Sequence, residues 1–365
     1  MKKIIWIPLV IIALGVVLAL VGCAAGGLQG FWIDRAGIHL ANAERGKLIK
    51  VDESFDSFKD IKVDAAFLDR VDLKEGDGYA VRGQNYERWG GLDVALKGDT
   101  LTVIANDNDR WHLDFGIDSL FHDNRKDAWL EITYPAGTAL GDVDMMLSAG
   151  NVQIDSLECK AFTVDDNFGN VDVSAVKCDS LLITADAGSV ELVDADVAGS
   201  AVINSHFGDV ELSSLRAGSL SADLNSGKMT VEDAAARVFD VKNDFGKIEI
   251  DGAESDNMTL KLNSGDLSAD GIKTGDLTVK SSFGKVELDR LEFTGLCEVR
   301  NNSGDVNLGL SMAEHDLSYS LNTSAGDVWV QGAKSSGSVT NRNSDATADL
   351  QVNADFGAIR LEFAG

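Results

Sequence analysis

Proline is nearly absent from this chain of 365 residues: only Pro8 and Pro135 occur. Cysteine is scarce as well, with four in all, which is too few for a disulfide framework. Cys159 and Cys178 lie one repeat apart, so they read as two small buried thiols stacked on adjacent coils, with a disulfide between them as the alternative, and Cys297 falls at a core position. Basic residues are outnumbered, 32 against 59 acidic, for a formal charge of -27. That balance argues against nucleic acid, whose phosphates need a basic footprint. Catalytic signatures are also missing. There is no His-Glu-x-x-His, no Cys-x-x-Cys, no Gly-x-Ser-x-Gly and no phosphate-cradling glycine loop. Five scattered histidines offer no zinc spacing, and neither a cofactor nor a resident metal is expected. From Gly150 onward no stretch keeps the 3.6-residue period of a helix.

Glycine, by contrast, returns every 19 or 20 residues, at Gly150, Gly169, Gly188, Gly208, Gly227, Gly246, Gly265, Gly284 and Gly304, and then loosens to Gly326 and Gly357. A period this short means a solenoid, in which each repeat buries its apolar face against its neighbours. The second and fourth residues after each glycine are apolar: Val171/Val173, Val190/Leu192, Val210/Leu212, Ile248/Ile250. The seventh and fifth before it repeat the pattern: Phe162/Val164, Leu181/Ile183, Phe239/Val241. Alternation at period two makes strands with one buried face. The expectation is an all-β fold, a single-stranded parallel β-helix of about 19–20 residues per coil, with the glycines as structural turns.

The residue before each glycine alternates large and small: Ala149, Phe168, Ala187, Phe207, Ser226, Phe245, Ser264, Phe283, Ser303. Packed into a corner of the core, each ring would lie over a small neighbour. A 38-residue unit of four strands would show the same alternation.

Lys2 and Lys3 precede an uncharged apolar run from residue 4 to residue 22, long enough as a helix to cross a bilayer. Either the run stays as a signal anchor, or Leu20-Val21-Gly22-Cys23 serves as a lipobox that makes Cys23 the lipidation site. Both put the bulk of the chain outside a bacterial plasma membrane. The organisation expected is an anchor or lipoprotein signal over 1–22, a spacer over 23–46, a β-rich cap over 47–140 with a loop at 106–127, and repeats over 141–365. Without an evident cap after Gly365, the carboxyl-terminal coil is a place for self-association.

The residues resemble the bacterial "putative adhesin" families of domain-of-unknown-function type. The resemblance is carried by the Lys-Lys start with its apolar run, by Phe55-Asp56-Ser57-Phe58-Lys59-Asp60-Ile61-Lys62-Val63, by Leu130-Glu131-Ile132-Thr133-Tyr134-Pro135-Ala136-Gly137, and by the recurring Asn-Ser-Gly-Asp-Val and Asp-Phe-Gly-Lys-Ile turns. It covers nearly the whole chain and implies an extracytoplasmic β-helix with no catalytic motif.

Remaining chemistry is sparse. Trp111, His112, Asp114, His122 and Asp123 share the expected loop and read as a solvated segment. Asp172, Glu191, Asp209 and Glu211 make an acidic patch on neighbouring coils, read as a hydrated face with calcium as the alternative. Trp329, with Tyr319 not far before it, reads as a seal on the last coils, with stacking on a sugar as the alternative. The function expected is a non-catalytic, adhesin-like structural or binding module with an envelope polymer or envelope protein as partner. An accessory regulator of envelope-stress signalling and a polysaccharide lyase or hydrolase are the other two readings.

Overall fold

The computed structural model describes residues 47–106 and 128–363, together with the backbone of three short strands, Phe31–Asp34, Gly37–Leu40 and Leu113–Phe115. Cys23, the apolar run and most of the 106–127 segment lie outside the described residues. The described chain is all β apart from the single 3-10 turns Glu87–Trp89 and Glu314–Asp316. No helix among the described residues is long and apolar enough to cross a membrane.

Stacked parallel strands form one solenoid. Val171 pairs with Val190, Val190 with Val210, Val210 with Met229, Met229 with Ile248, Ile248 with Leu267 and Leu267 with Val286. The ladder therefore advances by one glycine period per coil, and the 38-residue alternative falls away. The second ladder, before the glycine, keeps the same step: Phe162 to Leu181 to Ala201 to Leu220 to Phe239. Both ladders face inward and meet in one continuous apolar core, where these side chains are almost wholly buried.

The glycine corner is needed for two separate reasons. Gly246 and Gly265 hold φ near +147° and +144°, a region that L side chains avoid. In addition, a Cβ on Gly265 would sit 1.6 Å from the carbonyl oxygen of Gly246 in the coil below. Stacked glycines thus let successive backbones touch at this corner.

A second corner lies six residues after the glycine, and its backbone is left-handed. Ala175, Asp194, Ser214, Asp233 and Arg290 take φ of 49–56°, and Gly252 and Gly271 hold the same row at 79° and 71°. A non-glycine residue in this left-handed region costs about 1–2 kcal/mol, partly offset by the entropy that glycine loses on folding. Ala175→Gly is therefore expected to stabilise the fold by about 0.5–1 kcal/mol, read as a higher urea midpoint.

Both ends depart from sequence order. The stretch expected to be a cap supplies coils as well as covering strands. Asp60–Ala65 and Arg70–Gly76 pair in parallel with Asp142–Leu147 and Asn151–Ile154 on one side. On the other side they pair with Thr100–Ala105 and Trp129–Pro135. The 106–127 segment is thus inserted where other coils carry the glycine. Antiparallel strands Leu48–Phe55, Tyr79–Tyr86 and Asp93–Lys97 continue the sheet beyond this outermost coil. Within the expected spacer, Phe31–Asp34 pairs antiparallel with Gly37–Leu40, and Leu113–Phe115 joins the same small sheet. The aromatic and β-branched run Phe31-Trp32-Ile33 and the alternating Ile38-His39-Leu40 suit a short hairpin.

At the other end the last coil in sequence is not the last in space. Ala348–Phe356 and Ile359–Phe363 lie between the Gly304 coil and the strand Leu317–Val330, paired with both. The terminal coil therefore presents no open edge. The antiparallel strand Ala333–Asn341 covers Leu317–Val330 and forms the outer margin. Trp329 sits in that pairing, with the Lys334 ammonium 5.4 Å from its ring centroid. Tyr319 is buried and donates its hydroxyl to Glu314 Oε1 at 2.8 Å.

Candidate interaction face

The phenylalanine row does not enter the core. Phe168, Phe207, Phe245, Phe283 and Phe356 are 55–66% exposed. The expectation of rings packed inward at a corner is thus overturned. The row two residues earlier is buried in every coil, polar or apolar. In four of these coils the buried position three before the glycine is polar: Asp166, Ser205, Asn243 and Ser281. These short side chains occupy the inside of the turn. Asn243 Nδ2 donates to the Gly227 carbonyl at 2.9 Å, and Ser205 Oγ donates to that of Gly208 at 3.4 Å. The ring itself points to solvent in all five coils. In the other coils Ala185, Leu224, Leu262, Asn301 and Thr323 fill the same buried row before a small residue, and Ala354 fills it before Phe356.

The rings share one straight row. Phe168 pairs with Ala187, Ala187 with Phe207, Phe207 with Ser226, Ser226 with Phe245, Phe245 with Ser264 and Ser264 with Phe283. Phe283 then pairs with Ser303, Ser303 with Phe356 and Phe356 with Ala325. Rings therefore recur on every second coil, about 9.6 Å apart at the usual strand spacing.

Beside this row runs an outward row four residues before the glycine. It reads Asp165, Thr184, Asn204, Asp223 and then Lys242, Lys261, Lys280, Arg300, each paired in register with the next. Four cations on consecutive coils are unusual in a chain of charge -27. Lys242 lies 3.2 Å from both Asp223 and Asp244, Lys261 lies 3.2 Å from Asp240, and Arg300 lies 2.6 Å from Glu298. No carboxylate stands within ion-pair distance of Lys280 among the described residues. These four side chains, with Asn263, Ser282 and Asn302, line a shallow groove of about 360 Å³.

Asp172, Glu191 and Glu211 stack in register on one exposed row, with Asp209 two residues before Glu211. No group of three potential metal ligands gathers there or elsewhere among the described residues. Cys159 and Cys178 are free and buried, as is Cys297. A hydrogen bond to Cys178, together with burial, pushes the Cys159 thiol up, and burial does the same for Cys297.

Asp166 is the odd member of its row. It is 1% exposed; Oδ1 accepts from the Phe168 amide at 3.2 Å, while Oδ2 has no partner. Burial pushes its pKa up to about 7, with a smaller contribution from Asp165. The native group is therefore protonated at pH values where the unfolded one, near 3.8, is ionised. Stability from this group is fully present below about pH 4 and is lost as pH rises through about 7. At the same register, Asn243 and Asn301 each give an Nδ2 hydrogen bond to the glycine carbonyl of the preceding coil, at 2.9 Å in both cases. Asp166→Asn is expected to make that bond, to stabilise the fold at pH 8 by a few kcal/mol, and to flatten the slope between pH 4 and 7. Urea titrations at several pH values read both effects.

No curated protein matches this chain in sequence. Among solved structures, a "putative adhesin" of Bacteroides fragilis is 14% identical, with 66% of this chain and 97% of that one covered, at a TM-score of 0.32. A cell adhesion protein of Clostridium sporogenes, so described provisionally, is 9% identical over 87% and 100% of the two chains, at 0.23. A lipid binding protein of Parabacteroides distasonis, with the same provisional description, is 11% identical over 67% and 94%, at 0.26. The family model described as Toastrack DUF4097 matches twice, over residues 58–231 and 202–362. With those two overlapping matches running through both end coils and every coil between them, the chain belongs to the Toastrack DUF4097 family.

Proposed function

We propose that this protein is a non-catalytic, adhesin-like scaffold displayed from a bacterial membrane. The apolar run at 4–22 or a lipidated Cys23 tethers it, and the solenoid stands outside the cytoplasm. The observation that supports display is the rigidity of the outward rows. Each coil is paired on both sides and locked at its glycine corner, so side chains of one row are held at a fixed spacing of about 4.8 Å. Such rows suit recognition of an extended polymer or of another protein surface, and they ask little of any single residue. The proposal is tested by protease treatment of intact bacterial cells or spheroplasts expressing the full chain. Digestion of the solenoid from outside is the expected result, and recovery of an intact, protected chain would overturn it. Release of the chain by Cys23→Ser would select the lipid tether over the signal anchor. Cross-linking in intact envelopes followed by capture then identifies the partner.

A further inference from the structure

We propose that two copies of this chain dock antiparallel through the phenylalanine row. The row is built for its own reverse. Five rings alternate with Ala or Ser along eight coil steps, about 38 Å. Between two rings about 9.6 Å apart there is room for one more ring at about 4.8 Å, within the 4.5–7 Å range of aromatic pairs. A two-fold axis perpendicular to the rod, between the Gly227 and Gly246 coils, brings every ring of one copy over a small residue of the other. Phe245 faces Ser226, Phe207 faces Ser264, Phe168 faces Ser303, Phe283 faces Ala187 and Phe356 faces Ala149. A parallel arrangement in register would set ring against ring.

Charge selects the same axis. An antiparallel two-fold keeps the row four before the glycine facing its own counterpart. That row changes sign between Asp223 and Lys242, the same two coils that flank the axis. Asp165 then meets Arg300, Asp223 meets Lys242, and Lys280, which has no carboxylate partner among the described residues of one chain, meets Thr184 beside Asp165. Two net-acidic chains are thereby joined where their charges are opposite. Each ring exposes about 120 Å², so five give roughly 600 Å² per copy before any flanking residue is counted, against the ~800 Å² of a standard interface. The inference does not depend on where the protein resides in the cell.

Sedimentation velocity of the full-length chain in a mild detergent provides the first test. A dimer at micromolar concentration is expected. Phe207→Ser and Phe245→Ser, at solvent-facing positions, should each raise its dissociation constant about tenfold or more while leaving the melting curve in place. A wild-type monomer, or a dimer indifferent to both changes, overturns the proposal, as would a monomer whose row binds anionic vesicles or a glycan instead. Orientation is read by cross-linking. In a Cys23→Ser background, Phe168→Cys with Ser303→Cys lie seven coils apart in one chain, about 34 Å, far beyond disulfide reach. Oxidation should yield a covalent dimer, and failure to form one rules out this axis. Arg300→Asp should weaken association, and adding Asp165→Arg should restore it. Those residues are equally remote within one chain, so rescue requires a second copy, and absence of rescue counts against the pairing.

Discussion

Gly265→Ala is expected to cost at least about 4 kcal/mol, placing it among the few single changes with a severe effect. Two penalties coincide there. The backbone holds φ near +144°, which alanine reaches only under strain. The added Cβ would also lie 1.6 Å from the Gly246 oxygen and 2.6 Å from its carbon, both backbone atoms. Relief by movement is blocked on both sides. Gly265 donates its amide to Phe283 at 2.9 Å, and Gly246 donates to Ser264 at 3.0 Å, so separating the two coils breaks the ladder. Gly337 is the control. Its φ is +79°, yet a Cβ added there would meet nothing within 4 Å, so Gly337→Ala should lose only about 1–2 kcal/mol. Urea denaturation of the two variants should show a large drop in midpoint for Gly265→Ala and a small one for Gly337→Ala. Equal midpoints would refute the stacked-corner account.

The solenoid and its step were legible because period-two alternation separates inward from outward residues wherever a strand is regular. Val190 and Leu192, or Phe239 and Val241, could be placed on sight. The rule lapses at corners, where the chain turns and alternation no longer tells a side chain which way to point. Phe245 sits at such a corner, and its apolar character suggested the inside. The buried residue two positions earlier gives no rule: Asp166, Ser205, Asn243 and Ser281 precede a phenylalanine, but so does Ala354, and the polar Asn301 and Thr323 precede a small residue. The exchanged order of the last coils did carry a signal. Reading Ser303, Ala325, Phe356 along the sequence breaks the alternation, whereas the spatial order Ser303, Phe356, Ala325 keeps it. The left-handed backbone six residues after the glycine stayed hidden because Ala175, Ser214 and Arg290 do not advertise it.

Phe239→Ala and Phe245→Ala, six residues apart on one strand, should therefore behave as opposites. Phe239 is fully buried, paired with Leu220 below and Met258 above in the inward ladder. Removing its ring leaves a cavity between coils that are fixed by backbone hydrogen bonds and cannot close around it, and such losses run to about 3–5 kcal/mol. Phe245 is 55% exposed, and its ring fills no space in the core. Its truncation should change the stability of the single chain by about 0.5 kcal/mol or less. The two substitutions delete the same atoms, so composition and unfolded-state effects largely cancel in the comparison. Measured by urea titration of the monomer at low concentration, a gap of about 3 kcal/mol or more supports the outward ring. Comparable losses would return Phe245 to the core and, with it, remove the face on which antiparallel pairing rests.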